Sequence, residues 1–249
     1  MYEHWLCYTG GMDRVFYEDV QNKKVFCAFS EPDVMTKKIV IMSHGFRGSS
    51  VGPARQFVDF QRILNKNGYF GLRFDQPNSG NSEGDYLDSS FSEWVNTIVY
   101  FADKYLKAGF EVNLLGQSMG ASATIAATSN PKIKNKIPCL LLWAPDPETD
   151  FSGEIQTINE ENGQKYRESF WQEAKNSNIY QCLKEFQGKI HLVYGETDRY
   201  ISQKLRDKTI EMVKTKGQET MILKGQDHSP WEYDLVQEVY RQELVKLSE

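Results

Sequence analysis

The sequence is poor in cysteine, and its few thiols are scattered. Cys7, Cys27, Cys139 and Cys182 lie far apart, and no C-x-x-C pair occurs. This spacing argues against a zinc site and against a disulfide framework. Three of the four lie in apolar, strand-like stretches, which favours buried free thiols in a reducing compartment. We therefore expect a cytoplasmic protein.

Long apolar runs and dense basic blocks are also missing. No stretch is long enough to cross a bilayer, and residues 1–20 lack a basic region followed by an apolar run. We expect no signal peptide and no stable membrane insertion. The formal net charge is -5, and the short basic cluster KIKNK (132–136) is typical of a solvated loop. Since nucleic acids and anionic membranes favour basic patches, we expect neither as the main partner.

What the sequence does contain is a regular alternation of strand-like and helix-like segments. Its 249 residues are 40% hydrophobic and 25% charged, an ordinary composition for one globular domain with a large core. Short β-like runs occupy the first thirty residues, and from KKIVIMS (37–43) onward apolar strands alternate with helices. This order predicts an α/β fold with a mostly parallel central sheet and helices on both faces.

The alternation breaks down between residues 146 and 188. This stretch is acidic and carries Phe151, Tyr166, Phe170, Trp171 and Tyr180. We interpret it as a small cap inserted into a single domain that spans residues 1–249. Two roles for its aromatic side chains are equally open, since they could line an apolar acyl or aryl pocket or form the core of the cap itself.

The stretch NLLGQSMGASA (113–123) places Ser118 between two glycines, directly after an apolar strand and before a run of small helix formers. One interpretation is a tight turn that needs small residues. The other is a nucleophile elbow, in which the serine oxygen is exposed on a sharp strand-to-helix turn. The pentapeptide alone does not decide, because glycine and serine are common.

A nucleophilic serine needs a base, and the sequence holds only four histidines. His4 is near the terminus, and His191 lies inside a strand, which is typical of a core histidine. His44 follows the first buried strand and is expected to brace its loop. His228 follows the last strand, and SPWE (229–232) after it matches the start of a helix, with cap, proline and capping-box residues. His228 is therefore the best-placed base.

The base needs an orienting acid, and four aspartates are candidates. Asp198 follows the next-to-last strand, between the serine and the histidine in chain order, as this type of triad requires. Asp146 follows the preceding strand and is the runner-up. Asp227 adjoins His228 in the chain and is better suited to a loop hydrogen bond. Asp75 is typical of a turn.

Two backbone donors are needed for the oxyanion of an acyl-transfer reaction. The N–H of Met119 directly follows the candidate nucleophile at the start of a helix. The second donor is expected in SHGFRGSS (43–50), after the first buried strand, where the N–H of Phe46 fits and Gly45 permits close approach of the backbone.

Taken together, HGF, RFDQPNSGNSEG, GQSMG, GETDRYIS and GQDHS resemble the motifs of the α/β-hydrolase superfamily, from about Lys37 to the C-terminus with the cap as an interruption. Within it the chain is similar to small bacterial serine esterases, the cinnamoyl/feruloyl esterases and their monoacylglycerol-lipase-like relatives. The resemblance implies that Ser118, Asp198 and His228 form a triad, that Phe46 and Met119 donate to the oxyanion, and that no metal or cofactor takes part.

The chain departs from this pattern at three positions. Asn78 and Ser79 stand where relatives carry Gly and His, and Gln117 precedes the nucleophile where His is common. As substrate-binding residues we predict Trp143 and Trp171.

The expected activity is hydrolysis of short-chain or aromatic acyl esters, with a small-molecule ester as the substrate. The alternatives are a thioesterase or depalmitoylase, a lipase or a serine aminopeptidase on the same triad, and a hydrolase-fold binding protein without catalysis. The oligomeric state stays open.

Overall fold

The computed structural model describes residues 14–148 and 153–249. Its strands are β1 (Arg14–Val20), β2 (Lys23–Ser30), β3 (Lys38–Ser43), β4 (Phe70–Phe74), β5 (Glu111–Gln117), β6 (Cys139–Trp143), β7 (Ile158–Glu161), β8 (Gln164–Arg167), β9 (Lys189–Gly195) and β10 (Glu219–Leu223). Its helices are α1 (Gln56–Lys66), α2 (Phe91–Lys107), α3 (Met119–Ala127), α4 (Ser169–Asn176), α5 (Ile179–Glu185), α6 (Gln203–Thr215) and α7 (Tyr233–Ser248). Two short 3-10 helices cover Pro53–Arg55 and Tyr86–Asp88.

Eight strands form one sheet in the order β1-β2-β4-β3-β5-β6-β9-β10. Only β2 runs against its neighbours β1 and β4, and the other neighbouring pairs are parallel. The predicted fold class is therefore confirmed. Because parallel strands end at the same edge, the loops after β3, β5, β9 and β10 meet there, and ligand sites of such sheets lie at that edge.

Helices cover both faces of this sheet. The chain steps from β3 to β4 in one direction and from β4 to β5 and β6 in the other. Because such crossovers are right-handed, α1 lies on the face opposite α2 and α3. The last helix joins α1, since the Phe60 and Tyr240 rings stack with their centroids 5.1 Å apart. With both faces covered, β4 and β6 are buried along their whole length, as the continuous apolar runs predict.

Two helices begin later than the sequence patterns indicate. Pro53 followed by ARQFVDFQRILNKNG (54–68), with apolar residues at helical spacing, predicts a helix from Pro53. This segment instead starts as a 3-10 turn, and left-handed backbone at Ala54 (φ 45°) and Arg55 (φ 67°) delays α1 to Gln56. The helix expected from Pro230 begins only at Tyr233, with Glu232 at its N-cap. There the main-chain N–H of Glu232 donates to the Gln226 side chain (2.8 Å), which keeps this stretch in a closed loop.

The insertion between β6 and β9 contains two different parts. The hairpin β7–β8 forms a separate two-stranded sheet and is mostly exposed. The helices are tied to the main body, because α4 packs on α2 through the buried Phe170 ring, and α5 packs on α3. The boundaries 146–188 for a cap stay a prediction, and Phe151 lies outside the described residues.

The cysteines within the described residues are free and buried, namely Cys27, Cys139 and Cys182. Burial raises the pKa of the Cys27 thiol to about 12, so the thiolate form is suppressed there. Cys7 and His4 lie outside the described residues. No helix within residues 14–148 and 153–249 is long and apolar enough to cross a membrane.

Candidate active site

Ser118 occupies a sharp turn between β5 and α3. Its backbone has φ 55° and ψ −126°, a conformation that a side-chain-bearing residue adopts only when its surroundings enforce it. The flanking glycines make the turn possible. A Cβ at Gly116 would come within 2.6 Å of the Ala121 nitrogen, and one at Gly120 would collide with the backbone of β3. The turn therefore presents the serine oxygen at the carboxyl edge of the sheet.

His228 joins Ser118 to Asp198. The His228 Nε2 atom is 2.8 Å from Ser118 Oγ, and Nδ1 is 2.7 Å from Asp198 Oδ2. The three side chains come from the loops after β5, β9 and β10, which the sheet brings to one edge. A carboxylate oxygen only accepts, so Nδ1 carries the proton and Nε2 is left to accept from the serine hydroxyl.

The carboxylate of Asp198 is held in a fixed orientation. Its Oδ1 atom accepts from the main-chain N–H groups of Tyr200 and Ile201, both at 2.9 Å. The side chain of Arg206, buried on α6, donates to the carbonyl oxygens of Asp198 and Glu196 at 2.8 Å. These bonds fix Oδ1 and the main chain of the loop, and they leave Oδ2 directed at the histidine.

The neighbouring Asp227 links the loop that carries Asp198 to the loop that carries His228. Its Oδ1 accepts from the main-chain N–H groups of His228 (2.8 Å) and Arg199 (3.0 Å), and its Oδ2 pairs with the Arg199 side chain at 2.5 Å. The two backbone donors and then the guanidinium hold the pKa of this carboxyl below its usual range. Asp227 is thus a loop hydrogen-bonder, in the position that the sequence suggests.

The other two aspartates lie elsewhere. Asp146 lines the cavity described below, and its carbonyl oxygen accepts from Ser122 Oγ at 2.6 Å. Asp75 is fully buried and accepts from the main-chain N–H groups of Ser50 (2.5 Å) and Asn81 (2.7 Å), so it joins the loops after β3 and β4. The carboxylate on His228 Nδ1 is that of Asp198.

The loop after β3 lies directly against the serine turn. Its Gly45 N–H donates to the Gln117 side-chain oxygen at 3.1 Å, and a Cβ at Gly45 would come within 2.9 Å of Ser118 Cβ. Neither the Phe46 nor the Met119 N–H donates to another group of residues 14–148 and 153–249. Two free donors therefore flank the serine, and their service to an oxyanion stays a prediction.

His44 stabilises this loop from below. Its Nε2 accepts the N–H of Gln76 at 2.9 Å, so Nδ1 carries the proton and donates to the Gly45 carbonyl at 2.8 Å. Burial lowers the pKa of His44, and the bond to Gly45 offsets only part of that effect. A neutral imidazole with both nitrogens occupied suits a brace and not a proton carrier.

A cavity of about 740 Å³ opens above Ser118. Its walls come from the loop after β3, the serine turn, the β7–β8 hairpin, α4 and the loops that carry Asp198 and His228, including Phe46, Arg47, Met119, Asp146, Glu161, Gln164, Trp171, Tyr200 and Ser229. Trp171 is part of this wall, so its predicted contact with substrate stays open to test.

The expectation that Trp143 lines the same pocket is wrong. Its side chain is 1% exposed and packs among aromatic rings of α1 and α7, such as Phe60 and Tyr240. The indole N–H donates to Glu243 at 2.7 Å on the far face of the sheet. Only the main chain of Trp143 serves the site, since its carbonyl accepts the Ser118 N–H at 2.8 Å.

One departure from the superfamily pattern has a local cause. Asn78 adopts left-handed backbone (φ 68°), which asparagine tolerates better than most residues. Its side chain donates to Glu93 (2.9 Å) and accepts from Lys23 (3.1 Å), so it ties a loop to α2. Asparagine therefore serves a structural role in this loop.

Sequence reasoning missed two positioning contacts. Gln117 holds Gly45 with its carbonyl and donates to Ser229 Oγ at 3.4 Å, so it connects three loops of the site. Arg206 supports the loop that carries Asp198. Its helical spacing from Thr209 and Val213, with which it forms the buried face of α6, is a sequence pattern that could have identified it as a buried arginine.

Among the described residues, no cluster of three or more His, Cys, Asp or Glu side chains suits a metal ion.

Comparison with solved structures gives the same architecture. The chain is similar to Est1E from Butyrivibrio proteoclasticus with ferulic acid bound (20% identity, TM-score 0.81, 94% of this chain and 100% of that one). It is also similar to a soluble variant of monoglyceride lipase from Saccharomyces cerevisiae in complex with a substrate analog (16% identity, TM-score 0.75, 96% of this chain and 97% of that one). A third similar structure is the α/β hydrolase GrgF from Penicillium sp. sh18 (16% identity, TM-score 0.76, 95% of this chain and 97% of that one).

No protein-family model matches the sequence, and no curated protein matches it. At these identities the likeness concerns the fold, and the predicted resemblance to the α/β hydrolases is confirmed at that level. The chain has the α/β-hydrolase fold.

Proposed function

We propose that this chain is a serine ester hydrolase that cleaves short-chain or aromatic acyl esters through an acyl-enzyme. One observation carries the proposal. An unbroken line of hydrogen bonds runs from Ser118 Oγ through His228 to Asp198, at 2.8 and 2.7 Å, and it begins on a strained turn at the floor of a cavity. Nucleophile, base and orienting acid in this geometry are the minimum for acyl transfer by serine.

In the first half-reaction, His228 Nε2 takes the hydroxyl proton while Ser118 Oγ attacks the ester carbonyl carbon. The carbonyl oxygen becomes an oxyanion, which accepts from the main-chain N–H groups of Phe46 and Met119. Asp198 stabilises the imidazolium without taking its proton. The C–O bond to the alcohol then breaks, and the alcohol leaves with the proton from His228.

In the second half-reaction, water replaces the alcohol. His228 removes a proton from the water as its oxygen attacks the acyl carbon, the oxyanion forms between the same two donors, and the bond to Ser118 Oγ breaks. The serine regains its proton from His228, and the carboxylic acid leaves. Both halves use one set of groups because the site treats alcohol and water as alternate partners of the same acyl carbon.

The cavity supports the substrate class. A volume of about 740 Å³ lies within the range of small-molecule sites, and the Phe46 and Trp171 rings in its wall suit an aromatic or short apolar acyl group. Two of the similar folds belong to a protein with ferulic acid bound and to a monoglyceride lipase. Because the described cysteines are free and buried, we also propose a cytoplasmic setting for the reaction.

The test is a panel of 4-nitrophenyl acetate, butyrate and palmitate with methyl ferulate, run with wild type, Ser118→Ala and Ser129→Ala. Ser129 lies just beyond the opposite end of α3, where its hydroxyl donates to the Ala126 carbonyl, so it is a matched serine control. We expect acetate, butyrate or ferulate to be cleaved best. Loss of Ser118 should reduce kcat by about 10⁴- to 10⁶-fold, and Ser129→Ala should match wild type.

The same panel decides between this proposal and its rivals. Preference for palmitate would point to a lipase or depalmitoylase, and faster cleavage of an acyl thioester or an aminoacyl amide would replace the ester assignment. If wild type cleaves nothing and Ser118 resists a fluorophosphonate probe, the chain is a hydrolase-fold binding protein and the proposed reaction is wrong.

A further inference from the structure

The β7–β8 hairpin reaches across the cavity to the loop that carries a predicted oxyanion donor. We infer that Glu161, at the end of β7, is a positioning residue that holds the Phe46 N–H in place through Arg47. This inference rests on the proposed function, since it concerns the oxyanion site of that reaction. The hairpin would then contribute to catalysis by positioning the loop after β3, in addition to forming part of the cavity wall.

The first connection is an ion pair. Arg47 Nη2 lies 2.9 Å from Glu161 Oε1, and both residues line the cavity. Arg47 directly follows Phe46 in left-handed backbone (φ 58°), and its own main-chain N–H donates to the Tyr86 hydroxyl at 2.7 Å. A pull on the guanidinium therefore acts on the peptide next to the donor.

The second connection is an aromatic cluster around Phe46. Its ring centroid lies 4.5 Å from that of Trp171 and 5.0 Å from those of Tyr166 and Phe170, all three from the insertion. Tyr86 closes the cluster at 5.4 Å. The main chain of the loop is thus held at Gly45 by Gln117 and His44, whereas the Phe46 side chain packs against the insertion and Tyr86.

The charges explain why the ion pair matters to this loop. The Arg47 side chain is 17% exposed and that of Glu161 is 45% exposed. The other terminal nitrogen of the guanidinium, Nη1, is buried and has no hydrogen-bond partner among the described residues. A mostly buried cation that loses its carboxylate gains by moving toward water, because an unpaired charge is costly to keep out of solvent. That movement would displace residues 46 and 47 together.

The neighbouring Glu160 provides a matched control. It lies on the same strand, carries the same charge, is 61% exposed and is 4.0 Å from the equally exposed Lys165. Glu160→Gln removes the same charge from the same hairpin without touching the loop after β3. Both substitutions replace a surface carboxylate by its amide, so both chains should fold, as thermal unfolding will check.

The experiment compares kcat and KM of Glu161→Gln and Glu160→Gln on the ester that wild type cleaves best. We expect Glu161→Gln to lower kcat by about three- to tenfold with little change in KM, because the donor is loosened and not removed. Glu160→Gln should leave both constants unchanged. A boronic acid that forms a tetrahedral adduct on Ser118 should lose affinity for Glu161→Gln by the same factor as kcat.

A second set of variants tests whether the pair acts as one unit. Arg47→Gln should lower kcat at least as much as Glu161→Gln, and the double variant should lose no more than Arg47→Gln alone, because residues of one interaction are not additive. Arg47→Lys, which keeps the charge, should recover part of the rate.

Two results would overturn the inference. One is an equal response of kcat to Glu161→Gln and Glu160→Gln, and the other is a change in KM alone with unchanged boronic acid affinity. Either would leave an active wild-type enzyme. Failure of the proposed function is a different outcome, because then wild type itself would neither cleave esters nor react with the fluorophosphonate probe.

Discussion

Two histidine–carboxylate pairs of nearly the same length occur in this molecule, and only one of them is proposed to do chemistry. His228 Nδ1 lies 2.7 Å from Asp198, and His191 Nδ1 lies 2.8 Å from Glu243. The first pair occupies loops at the carboxyl edge of the sheet. The second spans β9 and α7 on a covered face. The histidine–carboxylate hydrogen bond therefore does not by itself make a histidine a base. The groups that contact the other ring nitrogen decide that.

The partners of the two carboxylates show the difference. The second oxygen of Asp198 accepts main-chain N–H groups of its own loop, and the second ring nitrogen of His228 meets Ser118 at the cavity. The second oxygen of Glu243 accepts the indole N–H of Trp143 instead. One carboxylate directs a histidine toward Ser118 and the cavity, whereas the other joins a strand, a tryptophan and a helix in the core.

The buried pair also changes the titration of its histidine. Burial by itself lowers the pKa of His191, but the charge of Glu243 and the hydrogen bond to it raise that pKa above its ordinary value of 6.5. Glu219 adds to the rise and Lys246 opposes it. Protonation of His191 is thus more favourable in the folded state than in the unfolded chain, so this pair contributes to stability and to its pH dependence.

The largest expected difference between the pairs is in activity. His228→Gln should lower kcat by about 10⁴- to 10⁶-fold, because it removes the base. His191→Gln should leave kcat per folded molecule within about twofold of wild type, since its ring lies on a covered face away from Ser118. Steady-state kinetics, with active sites counted by a fluorophosphonate probe, measures both. A loss of comparable size in His191→Gln would mean that the two pairs do not divide catalysis and stability as proposed.

The sequence distinguished the two histidines by position alone. His228 follows a strand, where loops meet at the sheet edge, whereas His191 lies within KIHLVYG, where a side chain must pack on a face. The same reasoning predicted a mostly parallel sheet and placed Ser118, Asp198 and His228 at one edge of it. Local patterns were enough there, because the end of each strand can be read from a single run of residues.

The error at Trp143 has the opposite cause. In a strand covered on both faces, successive residues are all apolar, so no alternation tells which side chain points toward the cavity and which toward α1 and α7. Contacts between distant segments, such as Arg47 with Glu161, leave no local trace either. They depend on how an insertion folds back over the sheet, and no spacing within one segment encodes that.

The second expected difference is in stability. Glu243→Leu should lower the free energy of unfolding by about 3–5 kcal/mol, because it leaves buried polar atoms of His191 and Trp143 without their partner. Denaturant unfolding measures the loss, and kcat of the remaining folded enzyme should not change. The double variant His191→Leu/Glu243→Leu should recover part of the loss, since apolar replacement of a whole buried pair is often tolerated. A double variant less stable than Glu243→Leu would contradict this account.

The smallest expected difference is in the pH dependence of that stability. Because the pKa of His191 is raised in the folded state, the pair's contribution is fully present below the ordinary value of 6.5 and is lost as pH rises through the raised value. The free energy of unfolding of wild type minus that of His191→Gln should therefore fall as pH rises from 6.5 through the raised pKa of His191. His44, whose lowered pKa makes acid destabilising, is present in both chains and cancels in the difference. A difference that stays constant or grows over this range would show that His191 is neutral in the folded protein, and the buried pair would then be a neutral hydrogen bond.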